Sequence, residues 1–194
     1  MASASAHPGA RNADVESARL RPLRSPVALT AAACAALAFA RYPLGAGAAI
    51  AAFLAAVLVI LAAIDIRSGR IPNRIVLPAT AIVLVADLVF WPGHVGEFVL
   101  AALVTSGVLL IPNLISSSWM GMGDVKLGLL LGVALGWGAI GALMIAFIAV
   151  LPVALVIMAR GGASARKATL PFGPFMAFGA LAVLIVPWLA GLGG

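Results

Sequence analysis

The sequence predicts an all-α polytopic membrane protein, a bundle of about six to seven transmembrane helices with a cytoplasmic N-terminus. Hydrophobic residues make up 64% of the chain and charged residues only 9%, whereas a soluble domain is about 45–50% apolar and about 25% charged. Short basic clusters separate long apolar runs, a pattern typical of membrane helices joined by cytoplasmic loops. The net charge of +6 does not indicate nucleic-acid binding, because the basic residues form no single stripe. We therefore expect a lipid bilayer around the chain and no nucleic-acid partner.

The first 25 residues differ from the rest of the chain. They are polar, contain four arginines and show no apolar periodicity, which is typical of a disordered segment. We expect a basic cytoplasmic tail over residues 1–25 and one transmembrane domain over 26–194, without internal repeats.

The remaining chain divides into apolar runs that predict the helices in order. The runs are 26–40, 44–64, 75–91, 98–115, 127–159 and 172–190. As one helix, the 33 residues of the fifth run would be about 50 Å long. That exceeds the hydrocarbon core of about 30 Å. Gly136 and Gly138 flank Trp137 inside this run, and we predict a break there that leaves helices over 127–136 and 139–159.

The distribution of basic residues supports this break. With seven helices and a cytoplasmic N-terminus, eleven of the twelve basic residues fall on cytoplasmic segments, and Arg41 alone lies outside. An unbroken fifth run would move the basic cluster at 160–167 to the outside. The positive-inside rule therefore favours the broken arrangement.

The acidic residues include two candidates for chemistry. Asp65 ends the second predicted helix and Asp124 begins the short one, 59 positions later, so the topology places both at the cytoplasmic boundary. Glu97 is interpreted as a helix-start anchor. Asp87 lies one turn inside the outer end of the third helix, where it could snorkel, pair with Arg41 or serve a function, since ionisable groups inside membranes are often functional.

Two carboxylates carried to one depth by different helices predict an aspartic-protease arrangement. Such a pair shares a proton; one carboxylate takes a proton from water while the other hydrogen-bonds the scissile carbonyl. Two simpler interpretations stay open: Asp65 could pair with Arg67 or Arg70, and Asp124 could be a helix N-cap beside Lys126. Because the chain has one cysteine, we expect no disulfide, and we expect no metal or cofactor.

Three motifs then resemble one family. "DIRSGRIPNRIVLP" at 65–78, "GMGDVK" at 121–126 and "LPFGPFMAFG" at 170–179 are similar, in order and approximate spacing, to motifs of the type IV prepilin peptidases, which are GxGD membrane aspartic proteases. The resemblance covers about residues 45–190. It implies that Asp65 and Asp124 are catalytic, that the substrate is a prepilin or pseudopilin precursor cut at the cytoplasmic face, and that the chain lies in the cell membrane of a prokaryote.

The motif residues beside the aspartates also have a physical interpretation. Gly121 and Gly123 allow the backbone to turn and could let a substrate strand approach, although a plain flexible turn is the alternative. Pro72 is expected to stop the second helix, and Asn73 to satisfy backbone groups of the loop. Lys126 is counted with them as a residue that shapes the site.

The late motif is expected to form a wall of the active site. Pro171, Gly173 and Pro174 should break the start of the last helix, and irregular backbone at membrane depth is tolerated where it lines a cavity. The alternative is the simple start of a helix.

The resemblance departs from the larger members of the family, which carry an N-terminal zinc domain with paired CxxC motifs and a methyltransferase activity. This chain has one cysteine, so the expectation is a short, peptidase-only form, like those that serve Flp/Tad-type pili or type II secretion. The first alternative is a GxGD protease of the presenilin or signal-peptide-peptidase kind, although those pair the motif with Tyr-Asp and Pro-Ala-Leu. The second is a non-enzymatic transporter or scaffold, which would place its acids nearer the midplane.

Overall fold

The computed structural model describes residues 26–42, 45–115, 121–161 and 171–186, and within these ranges every regular element is an α-helix. The predicted tail over 1–25 and the end of the predicted last helix lie outside them. The all-α prediction is confirmed. The helices are α1 (Pro26–Arg41), α2 (Ala46–Ser68), α3 (Asn73–Phe90), α4 (Val95–Ile115), α5 (Met122–Leu135), α6 (Gly138–Gly161) and α7 (Gly173–Ile185).

Four of these helices, α2, α3, α4 and α6, are long and apolar enough to cross a bilayer, while α1 and α7 are shorter apolar helices. The large apolar side chains Ile82, Leu103 and Ile148 are more than half exposed on three of the long helices, as expected where lipid replaces water. The 14 residues of α5 span only about 21 Å. The chain is thus a multi-pass membrane protein with seven helices in the described ranges, of which four reach full crossing length.

The predicted break in the longest apolar run is confirmed. Helix α5 ends at Leu135 and α6 begins at Gly138. Gly136 has φ 55° and ψ −135°, a conformation that residues with a Cβ rarely adopt. A Cβ there would also lie 3.0 Å from the ring of Phe98. The chain therefore turns at a position that requires glycine.

Small residues bring the helices close together. A Cβ at Gly132 of α5 would collide with the backbone of Ala102 in α4, and one at Gly179 of α7 would collide with the carbonyl of Ala142 in α6. Membrane helices associate through such contacts between small residues, since burial from lipid provides little hydrophobic driving force.

Helices α2 and α5 form the middle of the bundle. Helix α5 contacts α3, α4, α6 and α7, and α2 contacts α3 and α7. Most of the largest fully buried side chains belong to these two helices, and they are Leu54, Leu58, Leu61, Leu127, Leu130 and Leu131. The two central helices also carry Asp65 and Asp124, so the candidate site is built on the best-packed part of the fold.

The orientation of the bundle is open to a direct test. A topology reporter fused after residue 138 is expected on the outer side of the membrane, and one fused after residue 165 on the cytoplasmic side, because the break at Gly136 returns α6 across the bilayer. Activity of paired outer-side and cytoplasmic reporters in intact cells measures this. A reporter after residue 165 that scored outside would contradict the positive-inside assignment.

Candidate active site

Both candidate aspartates line one cavity of about 280 Å³. It lies where the end of α2, the loop to α3 and the first turn of α5 meet. Its lining residues are Asp65, Gly69, Arg70, Ile71, Asn73, Gly121, Met122, Gly123, Asp124 and Lys126. Residues from the first and second motifs, far apart in sequence, are thus brought together as the topology predicted.

Asp65 lies in the last turn of α2, and only 4% of its surface is exposed. Its Oδ2 accepts a hydrogen bond of 3.0 Å from the backbone N–H of Gly173 at the start of α7. None of the ion pairs between described residues involves Asp65, so the structure does not support the alternative pairing with Arg67 or Arg70. The carboxylate is instead held by the third motif.

The end of α2 corrects one expectation. Pro72 was expected to stop this helix, but α2 already ends at Ser68, because Gly69 adopts a left-handed conformation with φ 59°. The N–H of Gly69 closes the helix on the carbonyl of Asp65 at 2.7 Å. Glycine takes this conformation without the penalty that a Cβ brings. Pro72 lies in extended backbone and serves as the N-cap of α3.

Asp124 is the third residue of α5 and is 9% exposed. It is not the N-cap that one interpretation expected, since Gly121 occupies that position. The Asp124 carboxylate accepts a hydrogen bond from the backbone N–H of Gly121, in the manner of the acidic partner of a capping box. An anionic group is favourable in this first helical turn.

The two glycines of the "GMGD" motif differ in their surroundings. A Cβ at Gly123 would lie 2.8 Å from the Cβ of Ile71, whereas a Cβ at Gly121 would meet its nearest atoms, in Asp124 and Gly123, at 3.6 and 3.8 Å. The space at Gly123 is therefore taken by the protein's own loop and is not left for the substrate strand expected from the sequence. The sequence could have indicated Ile71 through its position in "RIPN", directly before Pro72 and Asn73, which were already candidate site residues.

The third motif contacts Asp65 without lining the cavity. Helix α7 begins at Gly173 after Pro171 and Phe172, with Pro174 in its first turn, which is the simple helix start that the sequence left as the alternative. The expectation that these residues form a wall of the active site is wrong for this cavity, because none of them is among its lining residues. A Cβ at Gly173 would lie 2.7 Å from Oδ2 of Asp65. The third motif therefore contributes a close contact with the carboxylate of Asp65.

Lys126 and Asn73 connect α5 to α3 at the edge of the cavity. The Lys126 Nζ donates to the Asn73 Oδ1 at 2.8 Å. Asn73 was expected to satisfy backbone groups of the loop, and its side-chain oxygen accepts from a side chain instead. Among the described residues, Lys126 forms no ion pair with either aspartate.

This contact is expected to contribute little to stability. In a double-mutant cycle with Lys126→Met and Asn73→Ala, we expect a coupling free energy of about 0.5–1 kcal/mol, because the bond is solvent-accessible. Reversible unfolding in mixed micelles measures it for the wild type, both single variants and the double variant. A coupling near zero would show that the contact does not hold the two helices together.

The sequence that carries these motifs is similar to sequences of known proteins. The model of the type IV leader peptidase family matches residues 52–159, which include both aspartates. The chain is 36% identical over 157 residues to the prepilin leader peptidase/N-methyltransferases of Burkholderia pseudomallei strains 1026b and K96243. These alignments cover 76% of this chain and 50% of each relative, so the chain spans about half the length of the curated relatives it matches. No solved structure matches it significantly. With the family model matched over more than half of its length, the chain belongs to the type IV leader peptidase family.

Proposed function

We propose that this protein is an aspartic endopeptidase of a prokaryotic cell membrane. Its substrates are prepilin-like precursors of Flp/Tad pili or type II secretion systems, and it removes their leader peptides at the cytoplasmic face. Asp65 and Asp124 are the proposed catalytic residues. The family assignment supports the type of reaction, and the charge distribution supports the side of the membrane.

The observation that carries the proposal is the meeting of Asp65 and Asp124 in one cavity. The two residues are 59 positions apart in sequence, and each is buried at the end of a different central helix. Burial of two carboxylates without a counter-ion is costly. A fold retains such a pair most readily where the two groups act together.

The proposed reaction begins with one proton shared between the carboxylates, since two negative charges this close repel each other. The ionised carboxylate takes a proton from a water molecule, and the resulting hydroxide attacks the scissile carbonyl carbon. The protonated carboxylic acid donates its proton to the carbonyl oxygen. When the tetrahedral intermediate collapses, the second carboxylate takes a proton back from one hydroxyl group, the C–N bond breaks, and the departing amine receives a proton from the first carboxyl group, which restores the starting state of the pair.

The backbone around Asp65 supports its role. The N–H of Gly173 binds Oδ2 of Asp65, which fixes the carboxyl plane while leaving the other oxygen for water or substrate. Asp124 is likewise held through the N–H of Gly121. Because both anchors are backbone groups of helix starts, the pair is positioned before any substrate binds, and such preorganisation favours catalysis.

Cleavage of a precursor in membranes tests the proposal. Membranes that contain the wild type, Asp65→Asn or Asp124→Asn are incubated with a candidate prepilin, and mass spectrometry identifies the products. Glu97→Gln is the matched control, because this carboxylate is 64% exposed and pairs with His94. The expected result is cleavage by the wild type and the control only. Full cleavage by either asparagine variant would overturn the proposed pair.

A further inference from the structure

A second cavity of about 280 Å³ lies at the end of the bundle opposite the aspartate pair. It is formed by the start of α2, the end of α3, the start of α4 and the ends of α5 and α7. Its lining residues are Tyr42, Gly47, Ile50, Ala51, Leu54, Asp87, Trp91, Phe98, Ala134, Leu135, Val183 and Leu184. Asp87 is the acidic residue in this otherwise apolar and aromatic lining, and the proposed peptidase reaction does not use it.

One oxygen of the Asp87 carboxylate is buried without a hydrogen-bond partner. The residue is 4% exposed, and among the described residues its Oδ2 is the buried side-chain oxygen that has no hydrogen-bond partner. The pairing with Arg41 that the sequence left open is not among the ion pairs of the described residues, and the Arg41 Nε donates to the carbonyl of Ile185 at 3.2 Å. The nearby His94 pairs with Glu97. A buried carboxylate without a partner is costly, so the arrangement favours a ligand that supplies a cation.

The walls of the cavity indicate the kind of cation. Tyr42, Trp91 and Phe98 line it together with aliphatic side chains, and aromatic faces attract organic ammonium groups. A carboxylate accepts strong hydrogen bonds from an ammonium N–H. A divalent metal ion would need several oxygen ligands, and no group of three or more acidic, histidine or cysteine side chains occurs in the part of the chain that the structure describes. A primary ammonium group fits better.

Arg41 adds a positive charge beside this cavity. It precedes the lining residue Tyr42 in sequence, and its bond to Ile185 places it next to Leu184, another lining residue. Its side chain is exposed, so its remaining guanidinium N–H groups are accessible to an anion, and arginine suits phosphate oxygens. A ligand with an ammonium group and a nearby phosphate would match Asp87 and Arg41 together.

We propose that this second cavity binds a phosphoethanolamine group, with its ammonium on Asp87 and its phosphate beside Arg41. The group could belong to a membrane phospholipid or to a free phosphoethanolamine. The large exposed apolar residues Leu88 and Val89, next to Asp87 on α3, would suit the acyl chains of a lipid. Arg41, which the positive-inside rule left as an exception, thereby acquires a role.

Ligand binding to the purified full-length chain in detergent tests this site without reference to peptidase activity. Native mass spectrometry measures the affinity of phosphatidylethanolamine, phosphatidylglycerol and free phosphoethanolamine for the wild type and Asp87→Asn. We expect Asp87→Asn to bind phosphatidylethanolamine about tenfold more weakly, because it loses a charged hydrogen bond and ion pair, and to bind phosphatidylglycerol unchanged. The control Glu97→Gln removes an exposed carboxylate outside the cavity lining and should match the wild type.

The other possible results of this binding experiment also support or overturn the proposed site. If free phosphoethanolamine loses affinity in Asp87→Asn while the lipid does not, the site holds but its ligand is the free molecule. If the affinity of neither ligand depends on Asp87, the proposal is overturned. Should Asp87→Asn fail to fold by circular dichroism, the exposed Arg41→Gln provides the comparison. It must weaken the binding of both phospholipids several-fold, and unchanged affinities would overturn the proposal.

Discussion

Replacement of either central carboxylate by its amide, in Asp65→Asn or Asp124→Asn, is expected to lower leader cleavage by about 10³-fold or more, because each variant loses a proton-transfer group of the proposed reaction. Asparagine keeps the shape of the side chain but cannot share a proton. Both residues are buried, so the neutral amide should also fold at least as readily as the carboxylate. Initial rates of precursor cleavage in detergent or membranes measure the loss.

The double variant sharpens this expectation. Residues that act as one unit show strongly non-additive effects, so Asp65→Asn combined with Asp124→Asn should be no more than a few-fold slower than the slower single variant. Multiplied losses in the double variant would mean that the two groups act independently. Loss in one single variant alone would leave the other aspartate with a structural role.

Much of the fold could be predicted from the sequence because the bilayer imposes strong constraints. Helix length against membrane thickness required a break between residues 127 and 159, and the charge distribution agreed with it. The structure places that break at Gly136. The same constraints predicted that Asp65 and Asp124 lie at one end of the bundle, since two crossings separate them. These arguments depend on length and charge alone, which a sequence displays directly.

Side-chain partners were much harder to predict. Asp65 could have paired with a neighbouring arginine, but it accepts a backbone N–H from Gly173, 108 positions away. Asp87 could have paired with Arg41, but Arg41 bonds to the end of α7. The local sequence shows which charged residues are available, whereas the packing of α7 determines which of them come into contact. The glycine at position 173 is the clearest case, because its close contact exists only in the folded bundle.

That contact supports the second large expected effect. In Gly173→Ala the new Cβ would lie 2.7 Å from Oδ2 and 3.1 Å from Cγ of Asp65, so the carboxyl group or α7 must move. Displacement of a reacting group by about 1 Å can cost about 10²-fold in rate, and we expect kcat for leader cleavage to fall by about this factor. The overpacked contact should also lower the free energy of unfolding by about 1–3 kcal/mol.

Gly107→Ala is the matched control, since a Cβ at this position of α4 meets nothing within 4 Å. It makes the same chemical change in a helix and should leave kcat near the wild-type value. Measuring both kcat and the free energy of unfolding distinguishes misplacement of Asp65 from a general loss of stability. If Gly173→Ala lost stability but kept its kcat at saturating substrate, the Gly173 contact would serve the fold alone. If kcat fell about 10²-fold while the free energy of unfolding in mixed micelles decreased by no more than about 1–3 kcal/mol, the start of α7 would be a positioning element for Asp65. Gly173 would then act on the reaction without lining the cavity.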